Sequence, residues 1–158
     1  MGRPMLAAFA SGFLLLQSAA AQSPQTHPVA GLITKASAYS VRETISRFET
    51  AVKSKGWVVF AEIDHAEAAV KAGVELRART VIVFGNPKLG SPRMREYPTL
   101  AIDNPPKALV WEDDQGKVFL SFNSAEYLLD YVYTRHGVPK PSSTFAQFLD
   151  EVSDQATK

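Results

Sequence analysis

His65 is the side chain best suited to chemistry in this sequence. It follows directly on Asp64, and the pair opens a helix after an apolar run that reads as a strand. An imidazole beside a carboxylate could serve as a general base or a metal ligand, with the carboxylate fixing the tautomer. The structural alternative is that Asp64 caps the helix and His65 is a first-turn residue. Its ring would then be neutral, because a cation at a helix N-terminus is unfavourable. Asn86 is the second candidate. It stands in Gly85-Asn86-Pro87, directly after Val81-Ile82-Val83-Phe84, so its amide could reach a ligand or satisfy the turn backbone. Glu112 ends another strand, in Trp111-Glu112-Asp113, either as a carboxylate facing His65 across the sheet or as a solvated strand position. Asn123 and Tyr127 complete the polar set, Asn123 being equally a turn residue before a helix. The expected site is a small polar pocket formed by His65, Asn86 and Glu112, delivered by three sheet segments. A small molecule or a metal would bind there, in a binding or interaction module. The alternative is an enzyme using His65 as acid/base with Glu112 in support.

Other chemistries find less to work with. The chain has no cysteine, which excludes disulfides, thiolate metal sites, a Cys nucleophile and c-type haem attachment. His27, His65 and His136 lie far apart and lack metal-ligand spacing, so His65 is the one metal candidate and no cofactor is implied. Met94 with His65 could ligate haem axially, but nothing else supports this and Met94 reads as a core residue. The segment Gly85 to Gly90 carries glycines without the GK[ST] ending of a phosphate-binding loop, and no serine sits in a G-x-S-x-G elbow.

The elements that must hold these residues follow from pattern. Gly31 to Ala38 reads as a first strand. Ser40-Val41-Arg42-Glu43 is a capping box, and Val41, Ile45, Phe48 and Val52 then share one helical face until Gly56. Trp57 to Ile63 is a second strand, and Asp64 caps a short helix ending at Gly73. Val81 to Phe84 is an unbroken apolar run, expected to be covered on both faces. Lys88 to Tyr97 suits a short helix with Pro92 at its first position. Lys107 to Glu112 and Lys117 to Phe122 form a hairpin around Asp113-Asp114-Gln115-Gly116. Ser124 caps a helix carrying Tyr127, Leu128, Tyr131 and Val132, ended by Gly137 and Pro139. A last helix, about Ser143 to Val152, puts Phe145, Phe148, Leu149 and Val152 on one stripe. The order βαβαβ followed by a β-hairpin implies parallel neighbours plus an antiparallel pair. The expected fold is α+β, a mixed β-sheet with helices packed mainly on one face.

The first 21 residues read as a signal peptide: Arg3 as the basic region, Met5 to Leu16 as the apolar region, and Ala19-Ala20-Ala21 as the cleavage site. The apolar stretch is short for a membrane span, so no stable anchor is expected after cleavage and the mature protein would be periplasmic or secreted. Losing Arg3 takes the basic count from 17 to 16, level with 16 acids. A neutral mature chain has no basic footprint for nucleic acid or anionic lipid. Residues 22–30 read as a flexible mature N-terminus, 31–139 as one domain and 140–158 as a C-terminal helix.

With these residues in place, the chain from about Tyr39 to Gly137 resembles the domain-of-unknown-function-302 family of small bacterial and archaeal proteins. The matching pieces are Val41-Arg42-Glu43-Thr44, Asp64-His65-Ala66, Phe84-Gly85-Asn86-Pro87, Leu109-Val110-Trp111-Glu112-Asp113, Gly116-Lys117-Val118, Ser121-Phe122-Asn123 and Tyr127-Leu128. The resemblance implies a compact α+β domain, often a homodimer, and no established activity. The family pattern has Tyr where this chain has Phe122, so no hydroxyl is available there.

Overall fold

The computed structural model describes residues 30–140 and 144–158. The signal-peptide segment, the polar stretch Ser23 to Pro28 and His27 lie outside the described residues. Five strands form one sheet: β1 (Leu32–Ala36), β2 (Val58–Asp64), β3 (Arg79–Gly85), β4 (Lys107–Glu112) and β5 (Val118–Asn123), in the spatial order β1-β5-β4-β3-β2. Helices α1 (Val41–Ser54) and α5 (Phe145–Thr157) pack together on one face. The architecture is α+β.

All four strand pairs are antiparallel, which corrects the expectation of parallel neighbours. The reason lies in α2 (His65–Lys71), which connects β2 to β3. A parallel crossover needs a helix long enough to run back over the sheet, a dozen or so connecting residues at least. The α2 helix has 7 residues and buries none of them, so it serves as a decorated hairpin connection. The one crossover is α1. Its N-cap forms as the sequence implies, with the Glu43 N–H donating to Ser40 Oγ at 3.3 Å, the half of the capping box that the serine hydroxyl supplies. It carries the chain across the sheet from β1 at one edge to β2 at the other.

The core lies between this helical layer and the sheet. Phe48 and Val52 of α1 and Leu149, Val152 and Ala156 of α5 meet Ile82, Phe84, Val110, Leu120 and Phe122. Phe84 and Phe48 meet edge to face at 5.2 Å between ring centres. β3 alternates along its length: Thr80, Ile82 and Phe84 are buried, whereas Arg79, Val81 and Val83 are half-buried. The run expected to be covered on both faces therefore has one covered face only. The opposite face carries Trp111 stacked on Phe119, above a buried Ser121 hydroxyl bonded to Thr34 and to the Trp111 indole, each at 2.8 Å.

The later helices also depart from pattern. Pro92 lies inside α3 (Pro87–Glu96), and Pro87 takes the first helical position, where the missing N–H costs nothing. The short helix α4 (Ala125–Tyr127) runs into a π-helical segment, Leu128–Tyr133. Longer hydrogen-bonded rings turn the apolar stripe, so Leu128 and Leu129 are buried while Tyr131 points out at 69% exposure. The helix α5 begins at Phe145 and extends to Thr157, with its last turn buried in the core.

Candidate functional site

A cavity of about 240 Å³ opens at the end of the sheet where β3 passes into α3. Its wall is built by rings and prolines. Trp57, Phe145 and Phe148 form a stack, with Trp57 and Phe148 centred 4.0 Å apart and Trp57 and Phe145 5.7 Å apart. A register shift between Val59 and Ala61 inserts Phe60 as an extra residue in β2, and this bulge turns its ring to the cavity mouth, where it stays 52% exposed. Gly85 matters here for space, not for an unusual backbone angle. A Cβ at this position would lie 3.1 Å from the Phe60 ring and 3.1 Å from Pro105 Cβ, so a side chain here would push the two walls a few tenths of an ångström apart.

Polar groups are few and specific. Asn86 lines the cavity, but its Oδ1 accepts the Lys88 N–H at 3.0 Å and so caps α3. Opposite, the Tyr133 hydroxyl donates to Asn104 Oδ1 at 3.0 Å. That bond orients the amide and leaves Asn104 Nδ2 on the Gly90 side, where a Cβ on Gly90 would come within 3.2 Å. Burial pushes the Tyr133 phenol above its ordinary range, against the opposing pull of the Arg93 guanidinium, so the hydroxyl stays protonated. Arg93 is the one charged side chain among the described lining residues. Behind this wall, His136 Nε2 lies 2.6 Å from Asp103 Oδ2, and its Nδ1 lies 2.9 Å from Thr99 Oγ1. The His136 bond, with Arg135 assisting, holds the Asp103 carboxyl below its ordinary value.

The five residues singled out from the sequence do not converge. His65 and Glu112 lie at one end of the sheet, beside Arg79: Asp64 is level with Thr80, and Trp111 with Arg79. Asn86 lies beyond Gly85 at the other end, roughly 20 Å away along the strand at about 3.3 Å per residue. His65 is exposed and makes no side-chain hydrogen bond or ion pair among the described residues; Asp64 accepts the Glu67 N–H at 3.0 Å, which is a capping role. Glu112 pairs with the Arg77 guanidinium at 2.9 Å. Asn123 is an exposed strand end. Tyr127 lies over Gly31, whose hydrogen leaves the only room for the ring. Of the five, Asn86 alone borders the cavity. Among the described residues, no three His, Asp or Glu side chains are grouped to hold a metal ion.

The sequence reading missed Arg93, Asn104, Tyr133 and Gly90. Pro105-Pro106 after Asn104 was a usable signal for a fixed wall. Tyr133 lay hidden because a helical period placed Tyr127 and Tyr131 on the wrong side.

A model described as "Domain of unknown function DUF302" matches residues 33–156. The chain belongs to the DUF302 family. The match runs past Pro139 and takes in nearly all of α5. A crystal structure of an uncharacterized conserved DUF302 protein from Bacillus stearothermophilus shares the fold, with a TM-score of 0.66 at 16% identity, over 81% of this chain and 99% of that one. The DUF302 chain is also 43% identical over 98 residues to proteins named fluoride-specific ion channel FluC 1, from Brucella suis and Brucella abortus. Those 98 residues are 62% of this chain but only 39% and 36% of the two relatives, so the likeness spans well under half of their length.

Proposed function

We propose that this DUF302 protein is an exported small-molecule-binding domain whose site is the cavity at the Gly85–Asn86 end of the sheet. The observation that carries the reading is the cavity itself: about 240 Å³, walled by rings and prolines, with a few fixed polar groups. Small-ligand sites have this composition, apolar walls for affinity and sparse polar groups for orientation. The π-helical segment that delivers Leu129 and Tyr133 supports it, because such segments are frequent at functional sites. Export rests on the N-terminal leader pattern, Arg3 through Ala21. A homodimer through the uncovered sheet face belongs to the same proposal. Leu32 and Ile63 are 39% and 46% exposed there, with half-buried Val81, Val83 and Leu109 between them.

The test is native mass spectrometry of protein purified from the periplasm, beside Gly90→Leu. Leucine at 90 grows from a position already 3.2 Å from Asn104 Nδ2 and 3.8 Å from the Met94 methyl, and it favours the helix. A small molecule that accompanies the wild-type protein and is lost from the variant supports the reading. The same adduct on both proteins places it elsewhere and refutes the cavity. An intact mass beginning at Gln22 checks export, and sedimentation checks the dimer.

The FluC-named relatives favour a second reading, a module that acts beside a fluoride channel. Deleting the gene should then sensitise cells to fluoride. Unchanged fluoride tolerance would remove that reading without touching the first.

A further inference from the structure

The cavity's polar groups point to the charge of its ligand. Arg93 makes no side-chain hydrogen bond or ion pair among the described residues, yet it borders a space walled by Met94, Leu129, Pro105 and Phe148. A guanidinium beside apolar walls is stabilised by an anion that fills its fork. No acidic side chain lines the cavity among the described residues. Asn104 adds a second donor, because its oxygen is engaged by Tyr133 and its Nδ2 faces the Gly90 side. Tyr133, kept protonated, contributes no competing charge.

One cation and one amide balance one negative charge. A dianion would bring a second charge against the same apolar walls without a partner, which is unfavourable. The volume, about 240 Å³, lies at the small end of ligand-pocket sizes and leaves room for a single ring or a short branched chain. We propose that the cavity takes a small monocarboxylate with an apolar ring or branched body, its carboxylate held by Arg93 and Asn104. This rests on the binding-domain reading above.

The test is an amide-resolved NMR titration of the full chain with sodium benzoate, benzamide and sodium fluoride. Benzoate should shift Gly85, Gly90 and Asn104, and benzamide, which keeps the ring and loses the charge, should bind about tenfold more weakly or worse. Arg93→Gln should bring benzoate down to the level of benzamide. Arg93→Lys keeps charge but loses the planar fork, so it should fall between, and it stands in if Arg93→Gln does not fold. Equal binding of benzoate and benzamide overturns the carboxylate assignment and leaves the binding domain standing. Fluoride shifting these signals while benzoate does not also overturns it, in favour of the channel-associated reading. If neither organic probe moves them, the carboxylate assignment falls, and the cavity reading is decided separately by the native adduct and its loss in Gly90→Leu.

Discussion

The two ends of the sheet are built from opposite materials. At the Gly85 end, Trp57, Phe145, Phe148 and prolines line a cavity with one cation on its wall among the described residues. At the Thr80 end, Glu112 and Asp114 are tied to Arg77, and exposed His65 opens a short helix that buries nothing. Residue types with familiar chemistry gather at the second end, where solvent reaches them and each ion pair is screened. Partial enclosure, which makes a polar group selective, is seen at the first. Reactive residue types mark a site only where the fold also excludes water.

The contrast can be broken in several ways, beginning with the largest effect. Phe84→Ala removes a fully buried ring from the cavity end and should cost about 3–5 kcal/mol by urea denaturation. Gly85→Ala presses a methyl against Phe60 and Pro105. It should cost about 1–3 kcal/mol, and it should narrow the cavity mouth, read as slower ligand exchange. Glu112→Gln, at the opposite end, breaks a part-exposed pair and should cost under about 1 kcal/mol, a difference that fades in high salt. His65→Ala should fall within about 0.5 kcal/mol of the parent and leave any cavity ligand bound. Lost binding in that variant would reverse the assignment of the two ends.

Acid offers one more probe. The Asp103 carboxyl is depressed in the folded protein by its His136 bond and by Arg135. A depressed carboxyl contributes stability that is present above its unfolded pKa and lost as pH falls through its folded one. Melting temperature should therefore drop as pH falls below about 4, and Asp103→Asn should flatten that part of the profile. An unchanged profile would mean that this cluster does not brace the cavity.

Much of the framework was legible locally. The Ser40 and Asp64 caps, the Asp113–Gly116 hairpin and the stripe of Phe145, Phe148, Leu149 and Val152 each follow from a few neighbouring residues. The α+β class and the family resemblance followed from these. Strand direction did not, because it depends on whether a connection is long enough to recross the sheet, and α2 was read as a crossover. That one difference displaced the candidate site. In a parallel sheet the C-terminal ends of β2, β3 and β4 would share an edge and gather His65, Asn86 and Glu112; antiparallel pairing sends Asn86 the other way.

What the amino-acid order alone determined is therefore the set of elements, their caps and the apolar stripe each must bury, since these depend on side chains within a turn or two. Which residues share a cavity was decided by the tertiary structure. Arg93, Asn104 and Tyr133 come from three separate segments, and they meet only because β3 ends where α3, the Pro105–Pro106 wall and the π-helical segment converge. Proximity across such distances is a property of the assembled sheet and its connections, carried by no local pattern.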